Sequence, residues 1–292
     1  MTSLFVVGSL HWDVVVNAPS IPRHDETIVG HSVNYAFGGK GGNQAIAANQ
    51  HGAMTHFAGR IGQDAFGAQI LNRLKQTTIV LDSLQNGNGP SGMSVAIVDK
   101  SGEYGATIVS GENLNIDVDA IQLPHNVNVV LLQNEISEKV NSTIAKRAKD
   151  CGAEVWLNGA PARVLSAELI NILDVLIVNR LEAAFYKKHL SDSDLRKLTV
   201  IETLGGSGVI FHQFGKDPYR QNAFEVEVLS THGAGDMFSG ALAARYLMGQ
   251  TMYKAISYAQ AAAALHVCTP LEKRGKVTPE HVLALMNKKL SY

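Results

Sequence analysis

Short apolar runs recur along the chain at strand length, and the segments between them place apolar residues at helical intervals. Leu4 to Val7 is the first such run and ends at Gly8-Ser9. Leu10 to Asn17 follows as an apolar strand with a carboxylate, Asp13, inside it. A charge in that setting is costly unless it meets a partner or a polar ligand. The stretch Ile21-Pro-Arg-His-Asp-Glu26 reads as a turn, and Thr27 to Ala36 alternates weakly, as a small β ribbon does. Thr55 to Gly59 reads as a strand and Phe66 to Leu74 as a helix. Met93 to Val98 and Tyr104 to Val109 read as a hairpin around Asp99-Lys-Ser-Gly102.

The second half alternates strand and helix. Val127 to Gln133 is a largely apolar strand of the kind that is covered on both faces in a parallel sheet. Helices are expected over Val140–Lys149 and Ala167–Leu173, and strands over Glu154–Leu157, Val175–Val178, Leu198–Glu202 and Phe224–Leu229. Apolar stretches over Ala234–Met248, Lys254–Val267 and Pro279–Lys288 close the chain as helices. This β–α alternation predicts a doubly wound α/β sheet. Polar residues sit just past successive strands: Asn134 and Glu135, Asn179 and Glu182, Thr203 and Gly205. Ligands in open α/β sheets bind outside the carboxyl ends of the strands. Each pair is also ordinary turn chemistry, and their shared placement is what points to a site.

Composition narrows the classes. The 292 residues are 46% hydrophobic, enough for a large core. The formal net charge of −1 leaves no basic surplus for nucleic acid. No apolar run reaches the length of a membrane span, and Leu4–Gly8 is too short for a signal segment, so a cytoplasmic protein without a membrane partner is expected. The 2 cysteines, Cys151 and Cys268, imply no disulfide framework, and the 11 histidines form no metal-ligand spacing on a helix. No long linker or internal repeat divides residues 1–292, which read as one domain.

Two glycine-rich stretches carry the candidate chemistry. Ser230-Thr-His-Gly-Ala-Gly-Asp-Met-Phe-Ser-Gly240 leads into an apolar helix, so several N–H groups and the helix dipole converge on one spot suited to an anion. Asp236 in the first turn would repel that anion. Its presence makes sense if it takes a proton from the nucleophile that attacks a phosphate. It is equally a helix-start residue of a common type. Phe37-Gly-Gly-Lys-Gly-Gly-Asn-Gln-Ala45 allows close backbone approach to a ligand, and a helix is expected from Asn43 to His51. It fits neither the Gly-x-x-x-x-Gly-Lys-Ser/Thr loop nor the Gly-x-Gly-x-x-Gly fingerprint. Lys40 and Asn43 suit hydroxyl binding, or a turn lysine and a helix cap.

Together these stretches resemble the ribokinase-like (PfkB) carbohydrate kinase family. Gly38–Ala45 is similar to its N-terminal signature and Thr231–Gly240 to its C-terminal one. Between them Leu157-Asn-Gly-Ala-Pro-Ala-Arg163, Asn179-Arg-Leu-Glu182 and Thr203-Leu-Gly-Gly-Ser-Gly208 fall in the family's order. The resemblance implies a three-layer α/β/α sandwich with a small β-sheet lid, from about residues 10–36 and 91–109. It implies transfer of the ATP γ-phosphate to a hydroxyl of a small sugar, with Mg2+. Asp236 would be the catalytic base, and the N–H groups of Gly233, Ala234 and Gly235 the anion hole. His11, Asp13, Gly39, Lys40, Asn43 and Glu135 would hold the sugar. Asn179, Thr203, Gly205, Gly208 and Gln260 would bind nucleotide, with Glu182 reaching the metal through water. A homodimer through the lid is implied as well; an unpartnered β ribbon cannot bury both of its faces.

Three departures bear on specificity. His11 stands where the resembling ribose kinases carry an Asn that touches the sugar. Ser230 stands where the family usually has an Asp that helps bind a monovalent cation. Cys268 to Arg274 lacks the Arg-x-Gly-Ala segment that completes the cation loop, so potassium activation is expected to be weak or absent. The segment from Glu182 to Thr203 is short, which suggests a trimmed helix. The alternatives are a nucleoside or pseudouridine kinase of the same fold and a non-catalytic sugar-binding regulatory protein.

Overall fold

A computed structural model describes residues 2–289 except Gly102 and Phe214. Gly102, part of the expected hairpin turn, lies outside the described residues.

The first strand shows how the sandwich is built. In β1 (Ser3–Val7) every side chain is buried, but successive ones enter different cores. Leu4 and Val6 face one cluster, Phe5 and Val7 the other, as the two-residue period of a strand requires. The chain then leaves this sheet for β2 (His11–Asn17) and β3 (Ser32–Gly38), and returns through α1 (Lys40–Gln50) to β4 (Met54–Gly62). Next come α2 (Ala65–Lys75), β5 (Val80–Gly87), β6 (Met93–Val98) and β7 (Tyr104–Val109). The later half runs β8 (Val127–Gln133), α3 (Glu138–Asp150), β9 (Glu154–Asn158), α4 (Ala167–Ile172), β10 (Val175–Asn179), α5 (Arg180–His189), α6 (Asp192–Lys197) and β11 (Thr199–Thr203). It closes with β12 (Val209–His212), β13 (Tyr219–Gln221), α7 (Ala234–Leu247), α8 (Met252–Cys268) and α9 (Pro279–Lys289).

Nine strands form one sheet in the order β13-β12-β11-β10-β9-β8-β1-β4-β5. From β11 to β5 all pairings are parallel, while β12 and β13 add antiparallel edge strands. Helices cover both faces: α1, α7 and α8 pack on one core, α3, α4 and α5 on the other. Four strands, β3-β2-β6-β7, form a second, smaller sheet. Its central pair is parallel, with Asp13 beside Ser94.

Helix α7 is buried nearly all round from Asp236 to Ala244. Phe238 and Leu242 are both in the core, and such side chains contribute roughly 1.5–3 kcal/mol each. That packing fixes where the N-terminus of α7 points. The polar start of the helix is therefore held by its apolar body.

Several sequence expectations are corrected. Phe224–Leu229 forms no strand: Phe224 and, in part, Val226 pack on the core, and the backbone continues as an irregular segment tied to Val267 by the N–H groups of Leu229 and Ser230. Helix α1 starts at Lys40 rather than Asn43, because Gly39 takes a φ of 86° and turns the chain there. Strands β5, β12 and β13 are additional; their apolar runs are short or half-exposed and carry little pattern. The short segment after Glu182 holds two helices, α5 of 10 residues and α6 of only 6.

Candidate active site

The site is assembled where α1 and α7 meet above the sheet. Gly39 begins it. A Cβ there would lie 2.8 Å from Leu10 Cα and 2.9 Å from His11 N, and the φ is positive, so only glycine allows this close crossing. Beyond it, Glu135 at the end of β8 accepts from the Lys40 N–H at 2.8 Å and from the Ser9 hydroxyl. A carboxylate at the start of α1 also complements the helix dipole. Glu135 therefore builds the site as well as lining it.

Asp236 sits in the first turn of α7 and is 7% exposed. Its Oδ2 accepts from Asn43 Nδ2 at 3.2 Å and its Oδ1 from Gln44 Nε2 at 3.0 Å, both from α1. Burial pushes its pKa above the ordinary carboxylate value, against the opposing pull of Lys40 and of the two amides. Burial alone would lower the Lys40 ammonium, but Asp236, Glu135 and Glu182 outweigh it and the net direction is up. Lys40 stays charged beside the Asp236 carboxylate. Gln44 was missed as a site residue. Its signal was present, since it follows Asn43 directly in the glycine-rich motif.

The N-cap of α7 is Gly233. The Ala234 N–H meets the Thr231 carbonyl at 3.2 Å, so Gly233 and Gly235 are the open donors of the three among the described residues. A cleft of 190 Å³ runs from Lys40 and Asp236 past Gly233, Ala234 and Gly235 to Asn179, Glu182 and Thr203. Asn158, also on its wall, ties β9 to α7 through Ser239 at 3.0 Å. The cleft thus follows the carboxyl ends of β9, β10 and β11. A larger cavity of 570 Å³ lies between α5, α6 and the outer face of the sheet. None of the expected site residues lines it, and its charged groups, the Lys187–Glu202 pair among them, stand apart from Asp236 and Lys40.

Asn179 and Glu182 form a capping box on α5. Asn179 Oδ1 accepts from the Leu181 and Glu182 N–H groups, and Glu182 accepts from the Asn179 N–H and side-chain amide. Both Glu182 oxygens are engaged, which suits contact with a metal through water rather than direct ligation. Thr203 bonds the Val178 carbonyl at 3.3 Å, and Gly205 opens a 3-10 turn. Gly208 passes so close to the Gln221 carbonyl that a Cβ would collide with it.

On the other side of Asp236, β2 presents His11 and Asp13 on one face, both buried. Asp13 Oδ1 accepts from Ser94 Oγ at 2.6 Å across the small sheet. His11 Nε2 is buried with no partner among the described residues, an orphan polar atom that a hydroxyl would satisfy. Gln260 stands apart from this assembly. It is buried under β12; with its amide turned to satisfy both ends, the oxygen accepts from the Val209 N–H at 3.1 Å and the nitrogen donates to the Asn222 carbonyl at 3.3 Å. Its amide is used in packing α8 against the sheet edge, and it does not reach the cleft wall.

Comparison with known proteins agrees with this geometry. The pfkB family carbohydrate kinase pattern matches residues 1–274. The chain is 32% identical to the ribokinase of Bacillus subtilis, over 98% of this chain and all of that one. Among solved structures it is similar to the ribokinase of Thermotoga maritima, with a TM-score of 0.89, 27% identity, and 98% and 99% of the two chains covered. It is also similar to Arabidopsis thaliana ribokinase complexed with ribose and ATP, with a TM-score of 0.86, 27% identity, and 97% and 98% covered.

Proposed function

The chain belongs to the pfkB family of carbohydrate kinases, and from that premise we propose that it transfers the γ-phosphate of ATP to a hydroxyl of a ribose-like sugar. The observation that carries the reading is Asp236: a buried carboxylate of raised pKa, in the first turn of a helix whose open N–H groups face the cleft. Asp236 takes the proton of the acceptor hydroxyl as that oxygen bonds to the γ-phosphorus. The bond from phosphorus to the bridging oxygen breaks, and ADP leaves with that electron pair. Gly233 and Gly235 N–H groups and Lys40 balance the charge that builds on the phosphoryl oxygens.

Asp13, Asn43, Glu135 and His11 supply both donors and acceptors for sugar hydroxyls. Asn179, Thr203 and Gly205 line the nucleotide side, and Glu182 would hold magnesium through water. Magnesium neutralises phosphate charge when bound. The four-stranded sheet closes over the sugar and pairs with its copy in a homodimer. A cytoplasmic location, where ATP is supplied, belongs to the same reading.

ATP consumption measured across pentoses, hexoses and nucleosides tests it. The highest kcat/KM is expected for ribose or a close pentose. A nucleoside turned over better than every free sugar would move the assignment to the nucleoside kinases. Sugar binding without turnover would make the chain a binding protein.

A further inference from the structure

Arg274 is a buried cation without a counter-charge. It lies in the 3-10 segment Leu271–Lys276 and is 8% exposed. Among the described residues no carboxylate pairs with it, although burying an uncompensated charge is expensive. Its partners are main-chain oxygens. Nη2 donates to the Ser230 carbonyl at 3.1 Å, Nη1 to the His232 carbonyl at 3.0 Å, and Nε to the Thr269 carbonyl at 3.1 Å. Nη1 also lies 3.0 Å from His266 Nε2. A ring of carbonyl oxygens from two loops is the donor set of a hard monovalent or divalent cation. Here a planar guanidinium fills it.

The position matters because Ser230 and His232 are in the turn that leads into Gly233 and the anion-facing end of α7. Their carbonyls accept from Arg274, while the Gly233 and Gly235 N–H groups stay open toward the cleft. The oxygens that an exchangeable cation would use are already occupied, so the monovalent cation implied by the family resemblance does not fit this chain.

We propose that Arg274 is the built-in cation of this site, a positioning residue that sets the anion-binding turn and replaces a dissociable potassium ion. The proposal rests on the kinase reading for its activity arm and on geometry alone for its stability arm. Arg274 also borders a 240 Å³ cavity with His232, Gly233 and His266, so truncating its side chain opens the carbonyl ring to solvent ions.

The test compares wild type, Arg274→Met and Arg274→Lys in potassium and in tetramethylammonium at equal ionic strength, reading turnover and melting temperature. Wild type is expected to show no potassium-specific gain in either. Arg274→Met should lose roughly tenfold or more in turnover in tetramethylammonium, about the effect of leaving one or two of these carbonyls unpaired. Potassium or added guanidinium should restore it and raise its melting temperature. Arg274→Lys should fall between the two. A potassium gain of about tenfold in wild type would overturn the proposal, as would an Arg274→Met enzyme that no small cation restores. If Arg274→Met does not fold in tetramethylammonium, recovery of folded protein in potassium or guanidinium supports the proposal, and no recovery in either overturns it. If wild type phosphorylates no acceptor, the kinase reading fails, and the melting arm still decides the role of Arg274.

Discussion

Asp236 concentrates the demands on single residues in this molecule. Its burial raises its pKa, yet as a base it must be ionised. The acid limb of kcat/KM is therefore expected above the ordinary carboxylate value of about 3.9. Asp236→Asn keeps the shape and removes the base, so turnover should fall on the order of 10²–10⁴-fold, with ATP affinity changed little. Steady-state kinetics and calorimetric ATP titration check both halves. Turnover within severalfold of wild type would remove Asp236 from the proton transfer. The role of such a residue is partly legible in sequence, because a carboxylate in an anion-binding turn is chemically out of place. The partners that hold it are less legible: Gln44 and Asn43 reach it from α1, nearly two hundred positions away in sequence.

At the scale of elements, α1, α7 and α8 form one packed block, and His51 links them. Its Nδ1 meets the Tyr258 hydroxyl at 2.9 Å and its Nε2 faces Met237 Sδ at 3.3 Å. Burial, reinforced by the Arg245 charge, lowers its pKa to about 4. An unfolded histidine titrates near 6.5, so between those values the unfolded chain binds more protons than the folded one. Stability is then full above about pH 6.5 and is lost as the pH falls toward about 4. His51→Gln, which keeps a neutral hydrogen-bonding group there, should flatten the drop in melting temperature between about pH 7 and about pH 5. Equal slopes for wild type and variant would assign the acid sensitivity elsewhere. The histidine His266, also lowered to about 4 by burial and Arg274, is the next candidate.

At the scale of the whole molecule, the small sheet leaves apolar side chains uncovered. Val33 and Tyr35 on β3, Val95 on β6 and Val109 on β7 are exposed on one face of it. An unpaired apolar sheet face invites a second copy. Light scattering at micromolar concentration should give twice the chain mass, and Tyr35→Glu with Val109→Glu should return the monomer. A wild-type monomer with full activity would remove the lid from assembly.

The sequence alone determined the order of most strands and helices. Val129–Leu132 and Val175–Val178 are apolar without interruption, a pattern set by burial on both faces. It also singled out the two glycine-rich loops proposed to carry the chemistry, because Lys40 and Asp236 sit in turns built for close backbone approach. It did not determine Phe224–Leu229, where an alternating pattern lies on an irregular segment that pairs with no strand of the sheet. Nor did it determine the place of Gln260, whose amide is used inside the α8 packing, or of Arg274, which reads in sequence as one more basic residue near the chain end. Hydrophobic pattern is a local property, written in each segment. The partners of a buried amide or guanidinium are set by which loops the packed helices bring within hydrogen-bond reach, and only the tertiary structure decides that.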